Sequence, residues 1–194
     1  MMHFTDLAGL AGVVLAIVAL ALRVPVFARL QLKLKIGLVV GLLIALAIPF
    51  GGLSSVEFMR GITGDLSITT LVLLAITFKV PSPSSGRGAL LVFITFAAIA
   101  LYPLALGIST FDPYRLGFGN LWFIAGLLLV ALAAWFRQYA LIALSISLAV
   151  LAWSVGWYES NNLWNYLIDP WLAVFALVAL VKKSISFASR SKSA

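Results

Sequence analysis

Cysteine is absent from this chain, and histidine occurs only once, as His3. The missing cysteines exclude disulfides, thiolate metal ligands and cysteine nucleophiles. A single histidine argues against a bis-histidine haem site and against histidine-based acid–base catalysis. The sequence also contains no P-loop, no GxSxG, no HExxH and no paired-aspartate metal motif. We therefore expect neither a cofactor nor a metal site.

Charged residues are also scarce, at 10% of the chain, whereas 63% of the residues are hydrophobic. The mean hydropathy is +1.15. Soluble domains carry about 25% charged residues, so we expect the lipid bilayer to solvate most of this surface. The net charge of +7 does not predict nucleic-acid binding, because the basic residues lie in short gaps between apolar runs. That pattern is typical of a membrane protein's loops.

Seven apolar runs predict an all-α protein, a polytopic bundle of about seven transmembrane helices. We expect one transmembrane domain over residues 1–181, followed by a basic, disordered cytoplasmic tail over 182–194. The first run lacks a basic flank and a small-residue cleavage site, so we expect a retained span and not a cleaved signal peptide. The predicted spans are residues 7–22, 36–50, 65–78, 89–106, 121–136, 139–157 and 170–181.

The distribution of charge predicts that the N-terminus lies outside and the C-terminus inside. With seven spans, all six acidic residues fall outside, and every basic residue except Arg60 and Arg115 falls inside. This arrangement obeys the positive-inside rule. A re-entrant segment at residues 66–78 would invert the later loops and put Lys182 and Lys183 outside. We therefore expect residues 66–78 to span.

Small residues recur every four positions in the first two apolar runs. The first stripe consists of Ala8, Gly12 and Ala16, and the second of Gly37, Gly41 and Ala45. Such stripes let two helices approach closely. In a protein with several spans, they indicate packing within the chain more often than a face for dimerisation.

The outer loops gather the polar residues that are candidates for a binding site. Ionisable groups drawn below the headgroups are costly and often functional. One hypothesis is an outer cleft in which Arg60 and Arg115 grip a phosphate or carboxylate bidentately. The alternative is structural, with Glu57 paired to Arg60, and Asp112 or Asp65 neutralising Arg115. The candidate residues are Glu57, Arg60, Asp65, Asp112, Tyr114, Arg115, Asn162 and Asp169.

Two of these aspartates are also placed to begin helices. Asp169 precedes Pro170, which predicts a capping aspartate followed by proline at the first helical position. Asp65 follows Gly64, and we expect its side chain to accept from the backbone N–H of Ser67 or Ile68.

Three functions remain open. We favour a non-enzymatic accessory or assembly subunit, with a larger membrane-protein partner, in the cytoplasmic (inner) membrane of a bacterium. The small size, short loops and packing stripes indicate this role. The second hypothesis is a small transporter or binding protein with an anionic or lipid-linked ligand at its outer face. The third is a membrane transferase for a lipid-linked substrate, with Glu57, Asp65, Asp112 or Asp169 as general base.

Overall fold

A computed structural model describes residues 4–78 and 84–191 of the chain. Apart from one short hairpin, its regular structure is helical, which confirms the predicted all-α class. A π-helical turn, Leu104–Ile108, follows α6, and a 3₁₀ helix, Pro113–Gly117, precedes α7. The α-helices are α1 Phe4–Ala21, α2 Pro25–Ala28, α3 Leu32–Ala47, α4 Ser55–Thr63, α5 Ile68–Phe78, α6 Ser84–Pro103, α7 Leu121–Phe136, α8 Ala140–Ser154, α9 Leu163–Leu167 and α10 Pro170–Ser191.

A short hairpin follows α3 and consists of two strands of two residues each, β1 (Pro49–Phe50) and β2 (Leu53–Ser54). The strands are antiparallel, and the two residues between them are Gly51 and Gly52. Both glycines have positive φ, 65° and 93°. A two-residue hairpin turn requires this conformation, and glycine adopts it without a steric cost.

The larger hydrophobic core surrounds α8. This helix packs against α5, α6, α7 and α9, and α10 packs against α6. Ile146 of α8 and Leu90 and Ile94 of α6 are fully buried. Small buried residues on α8, such as Ala143 and Ala149, let the neighbouring helices approach closely.

A smaller cluster lies between α1, α3 and α4, where Val13, Leu46 and Val56 are buried together. Helix α1 also packs against α5. Its small-residue stripe faces inwards, because Ala8 and Gly12 are buried and Gly12 lies beside the side chain of Leu71. The α3 stripe faces the other way, and Gly37, Gly41 and Ala45 are all exposed.

Two helical stretches of the described residues, Phe4–Arg23 and Gly86–Ile108, are long and apolar enough to cross a membrane. Helices α4 and α5 together are also long and apolar enough to span, but their axes bend by 116° at the break between them. They add a third span only if that span is a broken one. The other apolar helices, α7 and α8, have 16 and 15 residues, fewer than the roughly 20 that a full span needs. The structure thus supports two or three spans of the seven predicted.

Helix α10 is longer than the predicted seventh span. It continues past Val181 to Ser191, so the tail expected to be disordered from Lys182 is helical as far as Ser191. Neither glycine nor proline follows Val181 to end the helix. Residues 192–194 lie outside the described part.

Candidate functional site

Three acidic residues converge on Arg60 of α4. Its Nε and Nη2 donate to the two carboxylate oxygens of Asp65 at 2.6 and 3.2 Å. Its Nη1 donates to Asp6 of α1 at 3.1 Å, and Nη2 lies 4.0 Å from Glu159. We call these four residues the Arg60 cluster. Only 18% of the Arg60 side chain is exposed, and its guanidinium is held by carboxylates of the same chain.

The Arg60 cluster packs directly on the backbone of α1 at Gly9. A Cβ at this position would collide with the side chains of Asp65 and Arg60. Glycine is therefore required for α1 to approach the ion pair this closely. No sequence spacing links Asp6 or Gly9 to Arg60, because Arg60 follows Asp6 by 54 residues.

The Arg60 cluster contains more carboxylates than cations, and the pKa of one of them, Glu159, is raised. Glu159, in the loop between α8 and α9, shares a side-chain hydrogen bond with Asp6. That bond, together with the negative charge of Asp6, raises the pKa of Glu159. This hydrogen bond ties the loop to the first turns of α1.

The structural alternative predicted an ion pair between Glu57 and Arg60, and this prediction is wrong. Glu57 instead closes a capping box with Ser54. Its carboxylate accepts from the backbone N and the hydroxyl of Ser54, both at 2.6 Å. The backbone N of Glu57 donates to Ser54 Oγ at 3.3 Å. Ser-x-x-Glu before a helix is the sequence pattern of this box, so a local signal for the contact was present.

Asp169 forms a second, buried polar cluster and is only 3% exposed. Its Oδ2 accepts from Ser67 N at 3.0 Å and Ser67 Oγ at 2.8 Å, and also from the hydroxyl of Thr70. Its Oδ1 accepts from Leu172 N at 2.8 Å, the bond that caps α10. The predicted cap is therefore confirmed. The carboxylate also lies at the start of α5, where a negative charge is favoured by the helix dipole.

The cap predicted for Asp65 is wrong. The Ser67 N–H donates to Asp169, and Asp65 turns to Arg60 instead. The hydroxyl of Ser67 itself accepts from Thr70 N at 3.2 Å and so caps α5. A guanidinium offers Asp65 two charge-assisted bonds, which are stronger than one bond to a backbone N–H.

The remaining candidates join two loops to each other. Asn162, 1% exposed, donates through Nδ2 to Tyr114 O at 2.9 Å and accepts from Trp164 N. The indole of Trp164 donates to Pro113 O at 2.9 Å. Asp112 accepts from Tyr114 N at 2.9 Å and begins the 3₁₀ helix.

The Tyr158 hydroxyl makes a separate contact and donates to Leu66 O at 2.8 Å. Burial raises the pKa of this hydroxyl.

The structure thus distributes the predicted site residues over separate contacts. Arg60 and Asp65 lie together, Tyr114 and Asn162 join two loops, and Glu57, Asp112 and Asp169 each cap a helix. Arg115 is exposed, and no hydrogen bond or ion pair to its side chain is present within residues 4–78 and 84–191. Across the same residues, no three acidic or histidine side chains are arranged to hold a metal ion.

Comparison with protein-family models, curated proteins and solved structures finds no match to this chain.

Proposed function

We propose that the chain is a multi-pass protein of a bacterial cytoplasmic membrane, with seven crossing segments, the N-terminus outside and the C-terminus inside. The separation of charge supports this topology. Asp6, Asp65 and Glu159 meet at one end of the helices. At the other end, Gly88 at the start of α6 lies beside Nζ of Lys183. Acidic groups outside and basic groups inside agree with the positive-inside rule.

Single cysteines test this topology without a background to remove, because the chain has none of its own. We would place them at Thr110, Asn161, Ser84 and Ser186 and label intact cells with a membrane-impermeant thiol reagent. The proposal predicts labelling at Thr110 and Asn161 only. Labelling at Ser84 and Ser186, with the other two protected, would mean that α5 re-enters and would overturn the orientation.

Within that membrane, we propose a non-enzymatic role as an accessory or assembly subunit of a larger membrane system. The outward-facing stripe of α3 carries this proposal. Gly37, Gly41 and Ala45 are exposed, and no described atom lies within 4 Å of a Cβ built on either glycine. The equivalent stripe of α1 packs against α5 of the same chain. Because small residues allow close helix approach in lipid, the α3 stripe fits a helix of a partner.

Crosslinking within the membrane tests whether α3 has a partner. A photo-crosslinking residue replaces Ile44, which is exposed on α3, and the adducts are identified after mild detergent extraction. We expect a heterologous membrane-protein adduct that Gly41→Ile abolishes. The control Ala125→Ile introduces the same side chain at an exposed position on α7 and is expected to keep the adduct. A lone monomer, or a dimer of this chain only, would contradict the accessory role.

A second candidate function is ligand binding at the outer face, and the exposure of Arg115 favours it. The original two-arginine cleft is disfavoured because Arg60 is engaged by Asp65 and Asp6. Arg115 alone remains available to a phosphate or carboxylate. Calorimetry with inorganic phosphate would test this, with Arg115→Ala expected to remove the binding and Arg137→Ala, at the inner hairpin, to retain it. Equal binding by both variants would eliminate the site.

A further inference from the structure

A deep groove opens between α1, α4, α5 and α10, with a volume of about 930 Å³. Its α1 wall includes Val13, Ile17 and Leu20, and the opposite walls include Leu73 and Phe175. This volume lies within the range of about 300–1,000 Å³ that is usual for ligand sites. The groove is therefore large enough for a bound molecule and is lined mainly by apolar side chains.

One end of this groove is cationic. Arg23, just after α1, and Arg87, in the first turns of α6, both line it. Lys183 Nζ lies beside Gly88, the residue after Arg87, so a further cation lies near this end of the groove. An arginine guanidinium binds phosphate through two parallel N–H donors. The groove thus has an apolar body and a cationic end.

The part of the groove that follows α1 has about the length of one bilayer leaflet, and Thr63 and Trp171 extend its lining towards the opposite end of the bundle. Along α1 it extends from Val13 to Arg23, a rise of about 15 Å in an α-helix. Half of a hydrocarbon core is also about 15 Å. A molecule with its anionic group at Arg23 would therefore reach the middle of the bilayer with its apolar portion.

We propose that this groove binds one anionic phospholipid of the inner leaflet, with its phosphate at Arg23 and Arg87 and its acyl chains along α1 and α5. The inner leaflet is rich in anionic lipids, which basic groups at this level attract. A partner helix fits less well, because an apolar helix would bring no anion to the two arginines. The site is independent of the α3 stripe, which lies on the outward face of a different helix.

Native mass spectrometry in a non-ionic detergent tests lipid binding directly. The purified chain is titrated with phosphatidylglycerol and with phosphatidylcholine of the same acyl chains. We expect one tightly retained phosphatidylglycerol. The double variant Arg23→Gln/Arg87→Gln should bind it at least about tenfold more weakly, as expected for lost charge-assisted hydrogen bonds. The control Arg29→Gln/Arg137→Gln removes two cations outside the groove and should leave the affinity unchanged.

Equal weakening in the two double variants would indicate general charge attraction and would overturn the proposal. Two further variants test the apolar portion of the site. Ala16→Phe narrows the groove at a lining position and should reduce lipid retention, so undiminished retention would also overturn the proposal. A photo-crosslinking residue at Leu20, which lines the groove, should give a lipid adduct, and a protein adduct there would instead identify a partner helix as the occupant.

Discussion

Replacing Asp169 by alanine should destabilise the protein more than the loss of one helix cap. The change removes the cap of α10, which typically contributes about 1 kcal/mol. It also leaves the buried N–H of Ser67 without its acceptor, a loss of about 1–3 kcal/mol. The hydroxyls of Ser67 and Thr70 lie 3.1 Å apart and keep each other as partners. We therefore expect the free energy of unfolding to fall by about 2–4 kcal/mol.

Asn120→Ala is the matched control for this variant. Asn120 caps α7 through a single bond from Phe123 N at 3.0 Å and supports no second helix, so its loss should cost about 1 kcal/mol. Unfolding is followed by circular dichroism during titration of dodecyl sulfate into mixed micelles. If Asp169→Ala is no less stable than Asn120→Ala, the buried carboxylate does not join the two helix starts as described.

Two further predictions concern the Arg60 cluster. Gly9→Ala should lower the free energy of unfolding by about 1–3 kcal/mol through overpacking, whereas Gly12→Ala, whose new methyl meets only ordinary contacts, should not. Equal effects in the same titration would refute the close approach. The pKa of Glu159 is raised in the folded chain, so its contribution to stability is complete below about 4.5 and is lost as the pH rises through the folded pKa. Glu159→Gln keeps a donor for Asp6 and should flatten that part of the melting-temperature profile, and parallel profiles would contradict the raised pKa of Glu159.

Local sequence signals predicted the seven longest helices of this fold. Each predicted apolar run contains a helix, and the tight turn at Arg137 separates α7 from α8 as expected. The capping role of Asp169 followed from the adjacent Pro170. These features depend on residues within one or two turns of each other, so periodicity and capping patterns contain the needed information.

The partners of the central charges could not be predicted in the same way. Arg60 and Asp6 are separated by 54 residues, and Ser67 and Asp169 by 102. No spacing rule relates residues that far apart, because their contact depends on how the helices pack. The number of spans differs from the prediction for another reason. The apolar composition of α3 and α5 predicts that both cross the membrane, but α3 has 16 residues and α5 has 11. Both are shorter than the roughly 20 residues that a full span needs.

The bond between Ser67 and Asp169 also sets an order of events during synthesis. A ribosome adds about 5–20 residues per second, so the 102 residues between them take about 5–20 s to emerge. Throughout that interval the Ser67 N–H has no carboxylate to accept its hydrogen bond, although the residues of α5 have already been synthesised. The start of α5 therefore gains this hydrogen bond only when the last helix arrives, and a chain truncated before Asp169 would leave the Ser67 N–H without its acceptor.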